Sequence, residues 1–145
     1  MIEFGLTLPL LLLLVSGMIE FGFLLQKYEI VTNAAREGAR IAILPTYSAT
    51  QTARVNNATA RVNQYLTNAG LNQSLAGVTV GAPISNVLAA PATGCIWSVP
   101  VTVTYPHPLP FLRAVMSYFG ASTGGTITVR ATSQMRTEAA ASTCP

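Results

Sequence analysis

Residues 3–25 read E-F-G-L-T-L-P-L-L-L-L-L-V-S-G-M-I-E-F-G-F-L-L, and this stretch decides the fold. No charged residue occurs from Phe4 to Ile19, and the apolar character continues past Glu20 to Leu25. A helix of about 22 residues spans roughly 33 Å, which is enough to cross the hydrocarbon core of a bilayer. The stretch therefore predicts a membrane-spanning helix.

Two simpler interpretations compete with a specialised helix: a secretory signal peptide and a plain membrane anchor. A signal peptide would carry a basic segment before the apolar run and a small-residue cleavage site after it, and neither pattern is present. A plain anchor would not need Glu3 and Glu20, because carboxylates in an apolar environment are costly unless they are paired. Pro9 removes a helix hydrogen bond, so we expect a kink or local unwinding near Thr7–Pro9.

The helical pattern continues beyond the apolar run. Residues 26–44 read Q-K-Y-E-I-V-T-N-A-A-R-E-G-A-R-I-A-I-L, with apolar and small residues at helical spacing. Ala34, Gly38 and Ala42 form a ladder of small residues that allows close backbone approach, and we expect it to be a helix-packing face. Pro45 predicts the end of the helix. The result is one helix of about 44 residues and roughly 65 Å, lipid-like in its first half and amphipathic in its second.

The rest of the chain predicts a small α+β head. A capping-box pattern of Ser48 and Gln51 favours a helix over 49–68, with Gly70 as the residue after its C-cap. Strands are expected at 78–80, 95–105 and 126–135, a short helix at 111–119, and irregular structure at 81–94. Pro100 indicates an edge strand or a bulge, and P-H-P-L-P at 106–110 argues against a central strand. The predicted parts are residues 1–25, residues 26–44 and the head at 45–145.

Composition argues against catalysis. Charged residues make up 9% of the chain, there is one His, and there is no Asp. These counts exclude a Ser-His-Asp triad and a multi-histidine metal site, so we expect no enzyme, no metal and no cofactor. Residues 45–145 carry five scattered Arg and one Glu, which is not the clustered basic stripe that nucleic acid requires. We therefore expect a structural or interaction protein without a nucleic-acid partner.

Cys95 and Cys144 form an even pair that fits no zinc or redox spacing. They are either two idle buried thiols or one disulfide that ties the C-terminal tail to a strand, and the second interpretation is favoured because the tail has little else to hold it. His107, between two prolines, is expected to be a turn residue. Trp97 and Tyr105 share one strand face and are expected in the core, with an exposed adhesive patch as the alternative.

Several motifs resemble a known family. E-F-G-L-T-L-P-L-L-L-L-L at 3–14, I-E-F-G at 19–22 and T-N-A-A-R-E-G-A-R at 32–40 resemble the TadE-like family, which comprises pilin-like proteins of the Tad (Flp) branch of type IV pili. V-T-V-T-Y-P at 101–106 and S-Q-M-R-T-E at 133–138 are similar to the family's closing motif. The resemblance implies a type IV pilin-like fold, in which a long N-terminal helix packs on a small antiparallel sheet.

The family resemblance also implies an assembly mechanism. Such subunits lose a short basic leader, wait in the bacterial inner membrane, and then enter an extracellular helical filament. A Glu near the mature N-terminus pairs with the N-terminal amine of a neighbour, and here the candidates are Glu3 and Met1, with Glu3 two positions earlier than the family's usual place. For Glu20 we expect a position at the opposite membrane interface or a pair with Lys27 of another subunit.

Three functions remain open. The preferred one is a structural subunit that forms a homo-oligomeric filament through residues 1–44. The second is a minor TadE-like component that primes or tips a Tad pilus, with other pilins and the Tad assembly machinery as partners. The third is a periplasmic binding or scaffold domain that stays anchored in the membrane.

Overall fold

A computed structural model describes residues 2–44, 50–87, 95–111, 113, 117 and 125–136. Its elements confirm the α+β, pilin-like fold class, with one long helix, a second helix and a small antiparallel sheet. The helices are α1 (Ile2–Ile43) and α2 (Gln51–Asn68), followed by a short 3-10 turn at Gln73–Leu75. The strands are β1 (Gly77–Val80), β2 (Ile84–Val87), β3 (Cys95–Pro108) and β4 (Thr126–Arg136).

Helix α1 is continuous over 42 residues, including Pro9. It ends at Ile43, just before Pro45, as expected from the restriction that a proline places on the residue before it. The Nε of Arg54 in α2 donates to the carbonyl of Ala42 at 3.2 Å. This bond satisfies one of the terminal carbonyls that a helix cannot satisfy internally, and it places a positive charge at the negative end of the helix dipole.

The predicted second helix is present, but it begins later than the capping-box pattern indicated. Its N-cap is Thr50 and not Ser48, and the Thr50 hydroxyl accepts a hydrogen bond from the Ala53 amide at 3.1 Å. At the other end Gly70 has a φ of +78°, and the Leu71 amide donates to the Leu66 carbonyl at 2.9 Å. These features form a Schellman motif, for which a residue without a Cβ is favoured at the left-handed position.

Strand β3 is the centre of the sheet, and all its neighbours are antiparallel. β4 pairs with β3 along one edge, from Ser98↔Arg136 to Pro108↔Thr126. β1 and β2 share the other edge, where β1 covers residues 101–104 of β3 and β2 covers residues 95–98. The strands predicted at 95–105 and 126–135 are therefore confirmed, and both are slightly longer than predicted.

Two predictions about strands were wrong. Residues 84–87, expected to be irregular, form β2. β3 is a central strand that contains Pro100, Pro106 and Pro108. The Gly81 amide donates to the Pro100 carbonyl at 2.8 Å, so the backbone of Pro100 faces the β1–β2 edge. Pro106 and Pro108 share its parity and face the same edge.

The three prolines are tolerated because each lies where that edge of β3 has no ladder partner. Pro100 occupies the gap between β1 and β2, and the other two follow the last residue that β1 covers. No hydrogen-bond donor is therefore missing from the ladder with β4, which uses the backbone groups of the alternate residues.

The core lies between the second half of α1, α2 and one sheet face. It comprises small and β-branched residues almost throughout, namely Val31, Ala34, Ala35, Ala39, Ala42, Ala58, Val62, Leu66, Val99, Val101, Val103, Tyr105, Val129 and Ala131. Because α1 contributes mainly Ala to this core, its backbone lies close to both α2 and the sheet. The head thus packs against the amphipathic half of α1 and leaves the first half exposed.

Candidate functional site

The first half of α1 is an apolar surface with no cover in this chain. Exposed large side chains run from Phe4 to Tyr28, and only 6% of the most apolar window is buried. Among the described residues, α1 is the one helix long and apolar enough to cross a membrane. A surface of this size is unfavourable in water, since each buried Å² of apolar area contributes about 25 cal/mol. The helix therefore needs a lipid or protein environment.

Glu20 marks the point where the head first covers α1. Its side chain follows a long exposed apolar stretch, yet Glu20 is only 4% exposed. Its Oε2 accepts a hydrogen bond from the Phe111 amide at 3.1 Å, and its Oε1 lies 3.6 Å from the Nε2 of His107. The carboxylate is therefore buried against the head of its own chain. This intrachain contact stands in place of the expected pair with Lys27 of another subunit, and the expected position at the membrane interface stays a prediction.

The end of β3 creates the environment of Glu20. His107 continues the inward-facing register of Val103 and Tyr105, which places its imidazole against α1. After Pro108 the chain turns, the Leu109 amide donates to the Gly125 carbonyl at 2.8 Å, and helical backbone begins at Pro110. Phe111 thus presents its amide in a first helical turn, where amides have no intrahelical partner and a carboxylate is a favourable acceptor.

His107 is the second buried polar residue of this junction, and it is only 3% exposed. Burial lowers the pKa of His107, the positive charge of Lys27 lowers it further, and Glu20 acts in the opposite direction. The imidazole is therefore neutral at pH 7. Neither of its nitrogens has a hydrogen-bond partner among the described residues, and the 3.6 Å separation from Glu20 is a close contact rather than a hydrogen bond.

Lys27 completes this polar layer. Its Nζ lies 5.9 Å from the centre of the Tyr105 ring, within the range of a cation–π contact. Glu20, Lys27, Tyr105 and His107 therefore form one group, which we call the junction cluster. It lies between the exposed apolar half of α1 and the core, where α1 and the head first meet.

Farther along α1, a second charged contact fixes α2. The Nη2 and Nε of Arg61 donate to Oε1 of Glu37 at 2.8 and 3.0 Å, and Arg40 donates to the same oxygen at 3.3 Å. The hydrogen bond from Arg61 is the main cause that lowers the pKa of Glu37, with contributions from Arg40 and an opposing effect of burial. Glu37 is thus ionised at neutral pH and holds α2 against α1.

The predicted helix-packing residues lie in the interior of this chain. Ala34 and Ala42 are fully buried, and a Cβ placed on Gly38 would lie 2.6 Å from Cγ2 of Val62 and 3.3 Å from Cγ1 of Val101. In the structure, this face of α1 contacts α2 and β3. No pilin neighbour is needed to bury it.

The other predicted site residues fall at or beyond the edge of the described structure. Met1 lies outside the described residues, and Glu3 lies in α1 with its side chain outside them. Cys95 begins β3, and Cys144 lies outside the described residues, so their disulfide stays a prediction. Pro9 lies within unbroken helix, and the Thr7 hydroxyl donates to the Phe4 carbonyl at 3.4 Å.

Sequence reasoning missed the junction cluster. His107 was predicted to be a turn residue because prolines flank it, but it is a buried strand residue. The alternation of inward-facing residues in β3 could have revealed it. Every second residue of this stretch faces the core, namely Val99, Val101, Val103, Tyr105 and His107. Tyr105 is buried and Trp97 is half-buried, so Tyr105 belongs to the core, as expected.

Comparison with known proteins supports the resemblance over part of the chain. The family model described as TadE-like protein matches residues 1–40, which are almost the whole of α1. This match confirms the similarity to the TadE-like family inferred from the sequence motifs. No curated protein and no solved structure matches the chain. The family match points to a pilin-like protein associated with the Tad pilus and to a structural rather than an enzymatic role.

Proposed function

We propose that this chain is a structural pilin-like subunit that polymerises through α1 into an extracellular Tad-type pilus. The observation that carries this proposal is the contrast between the two halves of α1. The head buries one face of the second half from Glu20 onward, whereas the first half is exposed and apolar. The same helix is the part that matches the TadE-like family. A helix of this kind suits storage in the inner membrane followed by transfer into a helical bundle of copies.

Within this proposal, residues 1–25 are the part that exchanges lipid for neighbouring helices. Residues 26–44 belong with the head at 45–145, because they contribute its core. Met1 and Glu3 are the proposed amine–carboxylate pair between neighbours. In the apolar core of an assembly such a pair would satisfy a carboxylate that has no cation nearby in its own helix.

The test is electron microscopy of material sheared from the cell surface, with mass spectrometry of its proteins. A filament subunit is expected in stoichiometric amounts in the sheared filaments. Trace amounts there would refute the role as main subunit. The peptide from the N-terminus would also establish where the mature chain begins.

A matched pair of substitutions tests the part played by α1. Leu11, 61% exposed on α1, and Leu75, 54% exposed on the head, have similar exposure in the isolated chain. Leu11→Glu is expected to remove the chain from both membrane and filament fractions, because a charge there enters an apolar environment. Leu75→Glu is expected to leave both fractions unchanged. Equal behaviour of the two variants would contradict the proposal.

The second candidate is a minor component that primes or tips a Tad pilus. The resemblance to the TadE-like family favours it. Deletion of the gene distinguishes the two roles: loss of filament mass indicates the main subunit, and normal filament mass indicates a minor one. A permanently anchored periplasmic domain, the third function, would stay with the membrane after shearing.

A further inference from the structure

We propose that neighbouring copies of this chain pack their α1 helices in parallel with an axial shift of seven residues, so that Glu29 of one copy pairs with Arg36 of the next. This inference rests on the proposed function and specifies the interface between subunits. It is carried by a pair of exposed charges, and the spacing of the exposed apolar residues is compatible with it.

Glu29 and Arg36 are both exposed on α1, and neither has an ion-pair partner among the described residues. Seven residues separate them, so they lie on the same face of the helix, about 10.5 Å apart along its axis. This distance is too long for an ion pair within the helix. Two complementary charges that cannot meet in one chain can meet between two chains shifted by the same distance.

The neighbouring charged residues are already used. Glu37 and Arg40 bond to each other, and Glu37 also bonds to Arg61. Lys27 lies over the Tyr105 ring. Arg36 is therefore the basic residue of α1 that stays available to a carboxylate from another copy.

The exposed apolar residues are compatible with the same shift. Phe4, Leu11, Met18 and Leu25 are large, exposed and separated by seven residues each. A shift of seven residues places Leu11 of one copy opposite Phe4 of the next, and likewise along the row. Each side chain of this row then faces another member of the row. Repeats of seven residues suit helices that cross at a small angle with a left-handed supercoil.

The same residues indicate that the two α1 helices run parallel. An antiparallel pair could also join Glu29 to Arg36, but it would place the apolar halves of the two copies at opposite ends, where neither covers the other. The parallel arrangement satisfies the charges and covers the apolar row together. A second copy of this chain, parallel and shifted by about 10.5 Å, is therefore the occupant that this face fits.

Charge reversal tests the ion pair in cells that express the full chain. E29R and R36E are each expected to lower the yield of sheared filaments roughly two- to fivefold, as befits an exposed pair. The double variant E29R/R36E is expected to restore the yield, because the pair re-forms with its charges exchanged. R130E makes the same charge change on the exposed surface of β4 and is expected to have no effect.

Cysteine cross-linking tests the shift. With a short bis-maleimide linker, M18C/L25C is expected to give a ladder of multimers, since these positions face each other between successive copies. L14C/L25C corresponds to a shift of 11 residues, which would pair Glu29 with Arg40, and is expected to give no ladder. The wild-type chain under the same linker reports any contribution of Cys95 and Cys144.

The outcomes separate this inference from the proposed function. Filaments that contain the chain but show no rescue by the double variant, or a ladder only with L14C/L25C, would overturn the seven-residue shift while leaving the subunit role intact. A chain that is absent from sheared filaments, or cross-links only to a different protein, would overturn both.

Discussion

Gly38→Ala adds one methyl group at a tightly packed contact of α1 with α2 and β3. The new Cβ would lie 2.6 Å from Cγ2 of Val62 and 3.3 Å from Cγ1 of Val101. The first distance is shorter than real Cβ contacts, and Val62 cannot move aside easily because its β-branched side chain is restricted to one preferred rotamer in a helix. The helices must therefore separate or the side chain must leave its rotamer.

Two opposing effects decide whether Gly38→Ala raises or lowers the stability of the fold. Replacing a helical Gly by Ala stabilises a helix by about 1 kcal/mol, whereas overpacking a core costs about 1–3 kcal/mol. At a 2.6 Å contact we expect the upper part of that range, and hence a net destabilisation of about 1–2 kcal/mol. For a chain of 145 residues the corresponding decrease in melting temperature is roughly 3–7 °C.

Gly22 is the matched control, because it lies in the same helix and a Cβ there meets nothing within 4 Å. Gly22→Ala should show the gain in helix propensity without the clash. The assay is unfolding of the full chain in detergent by denaturant, followed by the fluorescence of Trp97, the single tryptophan. A second variant, Val62→Ala, should relieve the clash, so that Gly38→Ala costs nothing in its presence. Equal stabilisation by Gly38→Ala and Gly22→Ala would refute the close packing.

Three further changes test the charged contacts. Glu37→Gln should lower the free energy of unfolding by about 1 kcal/mol at pH 7 through loss of the ionic hydrogen bonds from Arg61. The pKa of Glu37 is lowered in the folded state. Its contribution to stability is therefore present above the ordinary pKa of a carboxyl and is lost as the pH falls through the folded value. The difference in stability between variant and wild type should therefore vanish in acid. The pKa of His107 is also lowered by folding, so the folded state binds the proton less well than the unfolded state. Stability should therefore fall as the pH drops below about 6.5. His107→Phe should flatten this slope in denaturant titrations from pH 7.5 to 5. Glu20→Leu removes the acceptor of the Phe111 amide and should cost about 1–3 kcal/mol in the same fluorescence assay, whereas Glu20→Gln retains an acceptor and should cost less.

Each of these predictions has a control or a contrary result. Glu29→Gln removes an exposed carboxylate without an intrachain ion pair, so in the detergent-solubilised monomer it should leave stability unchanged. An unchanged acid dependence in Glu37→Gln would show that other carboxyls govern it. Persistence of the pH 5–7.5 slope in His107→Phe would assign that slope elsewhere. Equal costs of Glu20→Leu and Glu20→Gln would mean that the Phe111 amide contributes little.

The α1 helix was predictable almost completely because its signals are local. The uncharged run, the small residues at helical spacing and Pro45 predicted one long helix, which the structure shows as Ile2–Ile43 without a break at Pro9. The strands at 95–105 and 126–135 were also predictable, since alternation of polar and apolar residues is read directly from the sequence. The family match over residues 1–40 falls on the same part of the chain, where the motifs are densest.

The prolines of β3 show why local rules failed in the head. Proline argues against a central strand only where its missing amide would have faced a partner. In β3 all three face an edge that β1 and β2 leave uncovered at those residues. Which edge is uncovered depends on the lengths and registers of two other strands. No property of P-H-P-L-P itself contains that information.

The sequence by itself therefore determined the long helix, its apolar first half, the α+β class and the exclusion of triad and multi-histidine chemistry, because each follows from composition or from periodicity within one segment. Only the tertiary structure decided the partners of the buried charges. Glu20 and Phe111 are 91 positions apart, and Glu37 and Arg61 are 24 apart. Such contacts arise from how the head seats on α1, and that seating is set by the close packing of its small residues against α2 and β3.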